Sequence, residues 1–307
     1  MINIFLASPR GFCAGVTRAI EIVEKALIKY GAPIYVRHEI VHNKYVVENL
    51  RAKGAVFVDN IADIPLNAIV IFSAHGVSKK TEEDSKFRNL EIIDATCPLV
   101  TKVHIEAQKN EQAKKEIILI GHKGHPEVEG TSGRVASKVI LVSKKEDVDL
   151  ITVKDPNNLC YITQTTLSMD DTKDILISLK KRFPNISGPD LNNICYATQN
   201  RQNAVKQLAA HVEVIIVIGS DNSSNSNRLR DLAEEMGKKA YIIDNEQYFD
   251  FKWIENITNI GITAGASAPE ILVERLIEHI SKHYQINIQN ITTTEENIIF
   301  KLPKKLS

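Results

Sequence analysis

The chain has 307 residues, 38 basic and 38 acidic side chains, and a hydrophobic fraction of 43%. This balance is typical of a globular protein of one to three domains, and the zero net charge disfavours a dedicated nucleic-acid-binding protein. Four cysteines are too few for a disulfide scaffold, so we expect reduced thiols. The N-terminal segment lacks the basic region of a signal peptide, and no apolar run is long enough to span a bilayer. The sequence therefore predicts a protein of the reducing cytosol with no membrane partner.

Short runs rich in isoleucine and valine alternate with helical patterns along the chain. The predicted strands are Asn3–Leu6, Ile69–Phe72, Glu91–Ile93, Ile117–Ile120, Val139–Val142, Val214–Ile218, Tyr241–Ile243 and Ile260–Ile262. Arg18–Tyr30 and Asn203–Ala210 have the helical period. This alternation indicates α/β units whose parallel strands are buried on both faces. The tail after Gln285 is interpreted as a closing strand or an arm.

Three of the four cysteines share a local sequence context. Cys13 and Cys97 are each followed by the pattern x-x-V-T-[RK] and then by a helical pattern, and Cys195 has a weaker version. Because they recur at similar intervals, we predict three pseudo-symmetric α/β units, each with one cysteine at the start of a helix. The predicted units are residues 14–96, residues 97–193, and residues 1–13 together with 194–281, followed by a C-terminal arm at 282–307. Cys160 lies in an apolar run and is interpreted as core packing.

The placement of a thiol at a helix start has a chemical consequence. A helix N-terminus presents unpaired N–H groups and a partial positive charge, which favour the thiolate that binds metals. Three thiolates brought to one centre would bind a metal ion or an iron–sulfur cluster and leave one coordination position open for a substrate. The alternative is that these cysteines are small buried apolar residues. Spacing alone leaves both interpretations open.

Polar loops follow four of the predicted strands. They contain His75, the segment His122–Glu127, the Ser/Asn run at 222–227, and Ser267. Ligands bind beyond the carboxyl ends of parallel strands, so these loops are predicted to face a common pocket. Their hydroxyls, amides, imidazoles and helix N-termini suit phosphate oxygens. Each loop could also be structural, and the Ser/Asn run could be a turn with a helix cap.

The segment from His122 to Glu129 allows two further interpretations. His122 and His125 could form a zinc pair, but no third ligand is near them in the sequence, and Pro126 is expected to disfavour a helix there. Either Glu127 or Glu129 could be a buried acid that donates a proton, with its pKa raised by burial. Both could equally be solvated carboxylates on a loop.

Nine stretches of the chain resemble one family. They are PRGFCAGV (9–16), YVRHEIVHN (35–43), FSAHGVS (72–78), DATCPLVTKVH (94–104), GHKGHPEVEGT (121–131), TQTTLS (163–168), ICYATQNRQ (194–202), GSDNSSNSNRL (219–229) and TAGASAP (263–269). These motifs are similar to those of the IspH/LytB family, the 4-hydroxy-3-methylbut-2-enyl diphosphate reductases, and the bacterial form is the more similar one.

The resemblance implies a fold, a cofactor and a set of site residues. The fold is a trefoil of three α/β units with parallel sheets around a central iron–sulfur cluster. One [4Fe–4S] cluster per subunit is held by Cys13, Cys97 and Cys195. Glu127 corresponds to the family's proton donor and Thr165, also a substrate-binding residue, to the threonine that relays the proton. The other residues that bind the diphosphate are His42, His75, His125, Ser223, Ser224, Asn225 and Ser267.

The resemblance also implies an activity. The reaction is the two-electron reductive dehydroxylation of (E)-4-hydroxy-3-methylbut-2-enyl diphosphate to isopentenyl and dimethylallyl diphosphate, the last step of the non-mevalonate isoprenoid pathway. The electron donor is ferredoxin or flavodoxin, and no nucleic acid or membrane takes part. Two other classes remain distinguishable by experiment. One is a non-redox phosphate-handling enzyme with zinc, and the other is an iron–sulfur sensor without catalysis.

Overall fold

The structure is a computed structural model that describes residues 1–306, in which strands and helices alternate. The strands are β1 (Ile2–Ser8), β2 (Ile34–Arg37), β3 (Ala55–Val58), β4 (Ile69–Phe72), β5 (Glu91–Asp94), β6 (Glu116–Ile120), β7 (Ile140–Val142), β8 (Leu159–Thr163), β9 (Val214–Ile218), β10 (Lys239–Ile243), β11 (Asn259–Ala264) and β12 (Ile286–Thr292). The helices are α1 (Ala14–Tyr30), α2 (Lys44–Ala52), α3 (Lys79–Phe87), α4 (Pro98–Gln112), α5 (Pro126–Ser132), α6 (Asp147–Leu150), α7 (Met169–Arg182), α8 (Tyr196–Ala209), α9 (Ser224–Glu235) and α10 (Glu270–Ser281).

The chain divides into two compact units. Unit 1 comprises Met1–Thr17, Val41–Asn49 and Tyr196–Ile299. Unit 2 comprises Arg18–Ile40, Leu50–Cys195 and the C-terminal residues from Phe300. Unit 1 contains one parallel sheet and unit 2 contains two.

The sheet of unit 1 has the strand order β10-β9-β11-β1-β12, and all its strands are parallel. Because side chains alternate along a strand, β9 contributes to two different cores. Ile216 packs on one face in the cluster that includes Leu272 and Leu276 of α10. Ile215 packs on the other face with Leu208 of α8 and Leu229 of α9. Burial on both faces explains why β9 is an unbroken apolar run.

Unit 2 contains two smaller parallel sheets. Their strand orders are β3-β2-β4-β5 and β7-β6-β8. In the second sheet the same alternation separates two cores. Tyr161 packs with Leu179 of α7, whereas Cys160 and Ile162 pack with Val103 of α4. Each parallel pair needs a crossover, so every strand end in this unit leads into a loop or helix start at the same edge of its sheet.

The predicted fold class is confirmed, since parallel sheets alternate with helices in the three sheets described. Every predicted strand is present, with β1 extended to Ile2–Ser8. The tail after Gln285 does form a strand, because β12 pairs with β1 in parallel. The prediction that Pro126 disfavours a helix was wrong: Pro126 is the first residue of α5, where its missing N–H has no intrahelical partner to lose. The division into three units stays a prediction.

A membrane-spanning segment was not expected. Among residues 1–306, no helix is both long and apolar enough to cross a bilayer.

Candidate functional site

The three cysteines with the repeated context all stand at helix starts. Cys97 is the N-cap of α4, and Cys13 and Cys195 directly precede α1 and α8. The repeated threonine has a matching role, because the N–H groups of Thr17 and Thr101 donate to the carbonyls of Cys13 and Cys97, each at 2.9 Å. None of the three cysteines is in a disulfide, and all three are only partly buried. The predicted placement at helix N-termini is therefore confirmed.

Cys160 has a different environment. It is 1% exposed in the middle of β8, and its Sγ contacts the Glu116 carbonyl at 3.6 Å. Burial raises the pKa of this thiol to about 12, so it stays protonated. The interpretation of Cys160 as core packing is confirmed.

The donor set fits an iron–sulfur cluster in its chemistry, since three partly exposed cysteines stand at helix starts, whereas burial raises the pKa of the fourth, Cys160, to about 12. Among residues 1–306, no three side chains of His, Cys, Asp or Glu are grouped to hold a metal ion, which leaves the His122 and His125 pair without a third ligand. A cluster takes its thiolates at separate irons, so it does not require three sulfurs around one ion. The shared cluster stays a prediction.

Glu127 is a buried acid in unit 2. It lies in the first turn of α5 and is 2% exposed, whereas Glu129 is exposed. Its Oε1 accepts from the Thr165 N–H at 2.6 Å and its Oε2 from the Thr165 hydroxyl at 3.0 Å. Burial raises the pKa of Glu127 to about 7, although the two hydrogen bonds from Thr165 oppose that shift. The structure thus selects Glu127 over Glu129 as the candidate acid.

Two backbone contacts join this acid to its neighbours in unit 2. The Cys195 N–H donates to the Thr165 carbonyl at 3.0 Å, so the loop after β8 touches both the acid and a cysteine. The Glu127 N–H donates to Nδ1 of His125 at 3.1 Å, because His125 is the N-cap of α5. The acid, the threonine, one histidine and one cysteine therefore occupy one region.

His75 belongs to the same region of unit 2. It follows β4, and its ring meets the His125 ring edge-on with centroids 5.8 Å apart. The Cys97 N–H donates to the Ala74 carbonyl at 3.0 Å, which places α4 beside the His75 loop. Two imidazoles beside a buried acid provide donors suited to an anion.

Gly76 shapes the His75 loop. Its φ is +78°, and a Cβ there would lie 2.5 Å from Cε1 of His104 and 3.1 Å from Cγ2 of Thr96. His104 is buried in α4, and burial, with a smaller contribution from the charge of Arg134, lowers its pKa to about 4. The His75 loop packs against the neutral, buried ring of His104.

We expect Gly76→Ala to lower the free energy of unfolding by about 2–4 kcal/mol, from the positive φ and from the contact with His104. Gly124→Ala is the matched control, because Gly124 has a φ of +82° and no atom within 4 Å of the added Cβ. Urea unfolding of both variants separates backbone strain from the steric contact, which accounts for about 1–3 kcal/mol. Equal losses in the two variants would contradict the role of His104.

In unit 1, the loop after β11 gathers a second group of predicted residues. The Ser267 hydroxyl donates to the His42 carbonyl at 2.8 Å, and the Ala266 N–H donates to Oδ1 of Asn225 at 2.7 Å. The Cys13 N–H donates to the Ala266 carbonyl at 3.2 Å. One short loop therefore contacts the segments of His42, Asn225 and Cys13.

The start of α9 completes this group. Ser223 is the N-cap, with its hydroxyl accepting from the Ser226 N–H at 3.4 Å, and Ser224 and Asn225 form the first turn. Asn225 is 4% exposed, and its Nδ2 has no hydrogen-bond partner among residues 1–306. A buried donor left unsatisfied costs about 1–3 kcal/mol, so an anionic oxygen that accepts a hydrogen bond from this Nδ2 would bind favourably. The helix N-terminus adds further N–H groups.

Comparison with known proteins follows the same motifs. Residues 4–281 match the family described as LytB protein. The chain belongs to the LytB family. The 4-hydroxy-3-methylbut-2-enyl diphosphate reductase of Bordetella pertussis is 55% identical over 305 residues, which cover 99% of this chain and 94% of the relative. The resemblance to the bacterial form of this family is therefore confirmed.

Solved structures of LytB relatives agree with the fold. The E-1-hydroxy-2-methyl-but-2-enyl-4-diphosphate reductase of Plasmodium falciparum is 39% identical, with a TM-score of 0.95 over 99% of this chain and 96% of that one. A second structure is described as (E)-4-hydroxy-3-methyl-but-2-enyl diphosphate reductase, the terminal enzyme of the non-mevalonate pathway. It is 31% identical, with a TM-score of 0.65 over 92% of this chain and 100% of that one.

Proposed function

We propose that the chain catalyses the two-electron reductive dehydroxylation of (E)-4-hydroxy-3-methylbut-2-enyl diphosphate to isopentenyl and dimethylallyl diphosphate. The observation that carries the proposal is the buried carboxyl of Glu127, whose pKa is raised to about 7 while Thr165 holds both of its oxygens. Removal of a hydroxyl as water needs a proton donor that is protonated near neutral pH. The similarity to 4-hydroxy-3-methylbut-2-enyl diphosphate reductases supports the same reaction.

The residues proposed to bind the diphosphate are those that the resemblance assigned, namely His42, His75, His125, Thr165, Ser223, Ser224, Asn225 and Ser267. The support is chemical: buried amides and hydroxyls at the start of α9, a fixed loop after β11, and imidazoles after β4 and before α5. Multiple hydrogen bonds to the diphosphate restrict the allylic end to one orientation relative to Glu127.

Cys13, Cys97 and Cys195 would hold a [4Fe–4S] cluster, one per subunit. When bound, such a cluster supplies one-electron redox chemistry and a Lewis-acidic iron for a hydroxyl. Cys160 takes no part, because burial keeps it a neutral thiol. The electrons come from a small one-electron carrier, ferredoxin or flavodoxin, in the cytoplasm.

Residues of the chain donate and relay the proton that the reaction needs. The C–O bond of the substrate breaks, and two electrons and two protons are taken up. One proton leaves with the hydroxyl as water, and the other forms the new C–H bond of the product. Glu127 gives that proton, and the Thr165 hydroxyl, which contacts Oε2 at 3.0 Å, relays it. The burial of Glu127 keeps bulk water from its carboxyl, so the proton is retained until the substrate needs it.

Turnover under anaerobic conditions tests this function. Protein purified without air should contain iron and sulfide, and with a reduced viologen dye it should convert the allylic diphosphate to both products. Glu129→Gln, at the exposed neighbouring acid, serves as the control that keeps turnover. Zinc in place of iron would favour the phosphate-handling alternative, and an iron–sulfur protein without turnover would favour the sensor.

A further inference from the structure

Arg201 is a fully buried cation in unit 1 that the predicted reaction does not use. It lies on α8, the helix that begins directly after Cys195, and its exposure is 0%. A buried charge is costly unless it is paired and hydrogen-bonded. The groups that pair with Arg201 therefore identify the segments that this side chain holds in position.

Three sets of oxygens surround the guanidinium, one of which is the Ala197 carbonyl of its own helix, which accepts from Nη1 at 3.0 Å. Nε and Nη2 donate to the Gly11 carbonyl at 3.0 and 2.7 Å, and Nη2 also donates to the Phe12 carbonyl at 3.4 Å. On its other side, Nη1 and Nη2 meet Oε1 and Oε2 of Glu296 at 2.9 and 3.3 Å. This is a bidentate ion pair, which neutralises the buried charge and also fixes the orientation of the two side chains.

The loop held by Arg201 is the one that carries Cys13. Gly11 and Phe12 precede Cys13, and the next residue, Ala14, donates its N–H to the Tyr196 hydroxyl at 3.2 Å. Tyr196 is the first residue of α8, so one helix fixes this loop before and after the cysteine. Gly11 has a φ of +68°, a conformation that glycine adopts without steric strain.

Glu296 reaches Arg201 from the segment that follows β12. Asn200 donates to its Oε1 at 3.0 Å, and Thr293 anchors the segment by donating its N–H to the Ser8 carbonyl at 2.9 Å. Phe12 and residues 294–297 line an open cavity of about 490 Å³. The loop also donates two backbone hydrogen bonds to the segment after β11, from the Gly11 N–H to the Ala264 carbonyl at 3.0 Å and from the Cys13 N–H to the Ala266 carbonyl at 3.2 Å. The ion pair adds a restraint next to the cavity, where the loop is not packed.

We propose that Arg201 and Glu296 form a positioning pair that sets the conformation of the Gly11–Phe12–Cys13 loop and thereby the presentation of the Cys13 thiol. A buried ion pair adds little net stability compared with apolar packing, so its main consequence is geometric. The C-terminal segment thus takes part in preparing a ligand from the opposite end of the chain. This inference rests on the proposed function only in treating Cys13 as a cluster ligand.

Alkylation of the iron-free full chain tests the pair. In Glu296→Gln, the ratio of the Cys13 rate to the Cys97 rate is expected to rise about tenfold, because a charge-assisted contact is lost. Peptide mass spectrometry resolves each cysteine. Glu295→Gln is the matched control, since Glu295 is the exposed neighbour of Glu296. An unchanged ratio overturns the proposal.

A second variant keeps the proposal testable if Glu296→Gln does not fold. Asn200→Ala removes one donor to Glu296 and is expected to raise the same ratio by a smaller factor of about three. Equal alkylation rates at all four cysteines of Glu296→Gln would indicate that this variant is misfolded. The ratio of the Cys13 rate to the Cys97 rate in Asn200→Ala then tests the proposal, and an unchanged ratio overturns it. In iron-loaded protein, Glu296→Gln should also release iron to a chelator faster than Glu295→Gln. Failure of wild-type protein to take up iron would refute the cluster, while the alkylation ratio would still report on the pair.

Discussion

Replacing Glu127 by glutamine is expected to lower turnover about 10²–10⁴-fold, the usual contribution of a general acid. Glutamine keeps the size of the side chain and can still accept from the Thr165 N–H, so the loss is chemical and not structural. Anaerobic rate measurements with the allylic diphosphate provide the test. Turnover within twofold of wild type would remove Glu127 from the proton-donor role.

The pH dependence of the same group has a defined sign. With the pKa of Glu127 raised by burial from 4.5 to about 7, the folded chain binds a proton that the unfolded chain has already released. Stability from this protonation is complete below about 4.5 and is lost as the pH rises through about 7. Turnover should fall over the upper part of the same range, because the donor must be protonated.

Urea unfolding of wild type and Glu127→Gln isolates that contribution. The wild-type free energy of unfolding, taken relative to the variant, should be lower at about pH 8 than at about pH 5, since glutamine does not titrate. A difference that is the same at both values would mean that the pKa of Glu127 is not raised.

Loss of any one of the three helix-start thiols is the second large effect. Cys97→Ser should reduce bound iron more than about tenfold and abolish the brown colour and the turnover of anaerobic protein, because a serine hydroxyl does not replace a thiolate ligand. Cys13→Ser and Cys195→Ser should behave alike. The measurements are iron and sulfide content together with the visible absorption spectrum.

Cys160→Ser is the matched control for these variants. Cys160 is 1% exposed, and the new hydroxyl can donate to the Glu116 carbonyl that Sγ contacts now. Iron content and turnover should stay near wild type, while stability falls by about 1–3 kcal/mol from burying a more polar group. Iron loss in Cys160→Ser would show that the fourth cysteine also contributes to the metal site.

The local sequence pattern was sufficient to predict those strands and helices whose formation depends on residues adjacent in the chain. Unbroken apolar runs such as Val214–Ile218 identified the central strands, since only burial on both faces permits them. β2 and β3 were not predicted, and neither length nor position explains this, because β4 and β5 also have four residues and β5 is also an edge strand. Pro126 was misjudged because a proline that begins a helix and one that interrupts it are distinguished only by the cap before it.

By itself, the sequence determined the α/β fold class, the family and the placement of three cysteines at helix starts. These depend on residue type, period and motif, which are properties of adjacent residues. Although the resemblance already pointed to Glu127 as the proton donor, only the tertiary structure showed that Glu127 is buried and Glu129 exposed, because the contact of Glu127 with Thr165 joins segments 38 residues apart. It alone placed Glu296 on Arg201, 95 residues away, since the energy of a buried charge is set by whatever folding brings next to it.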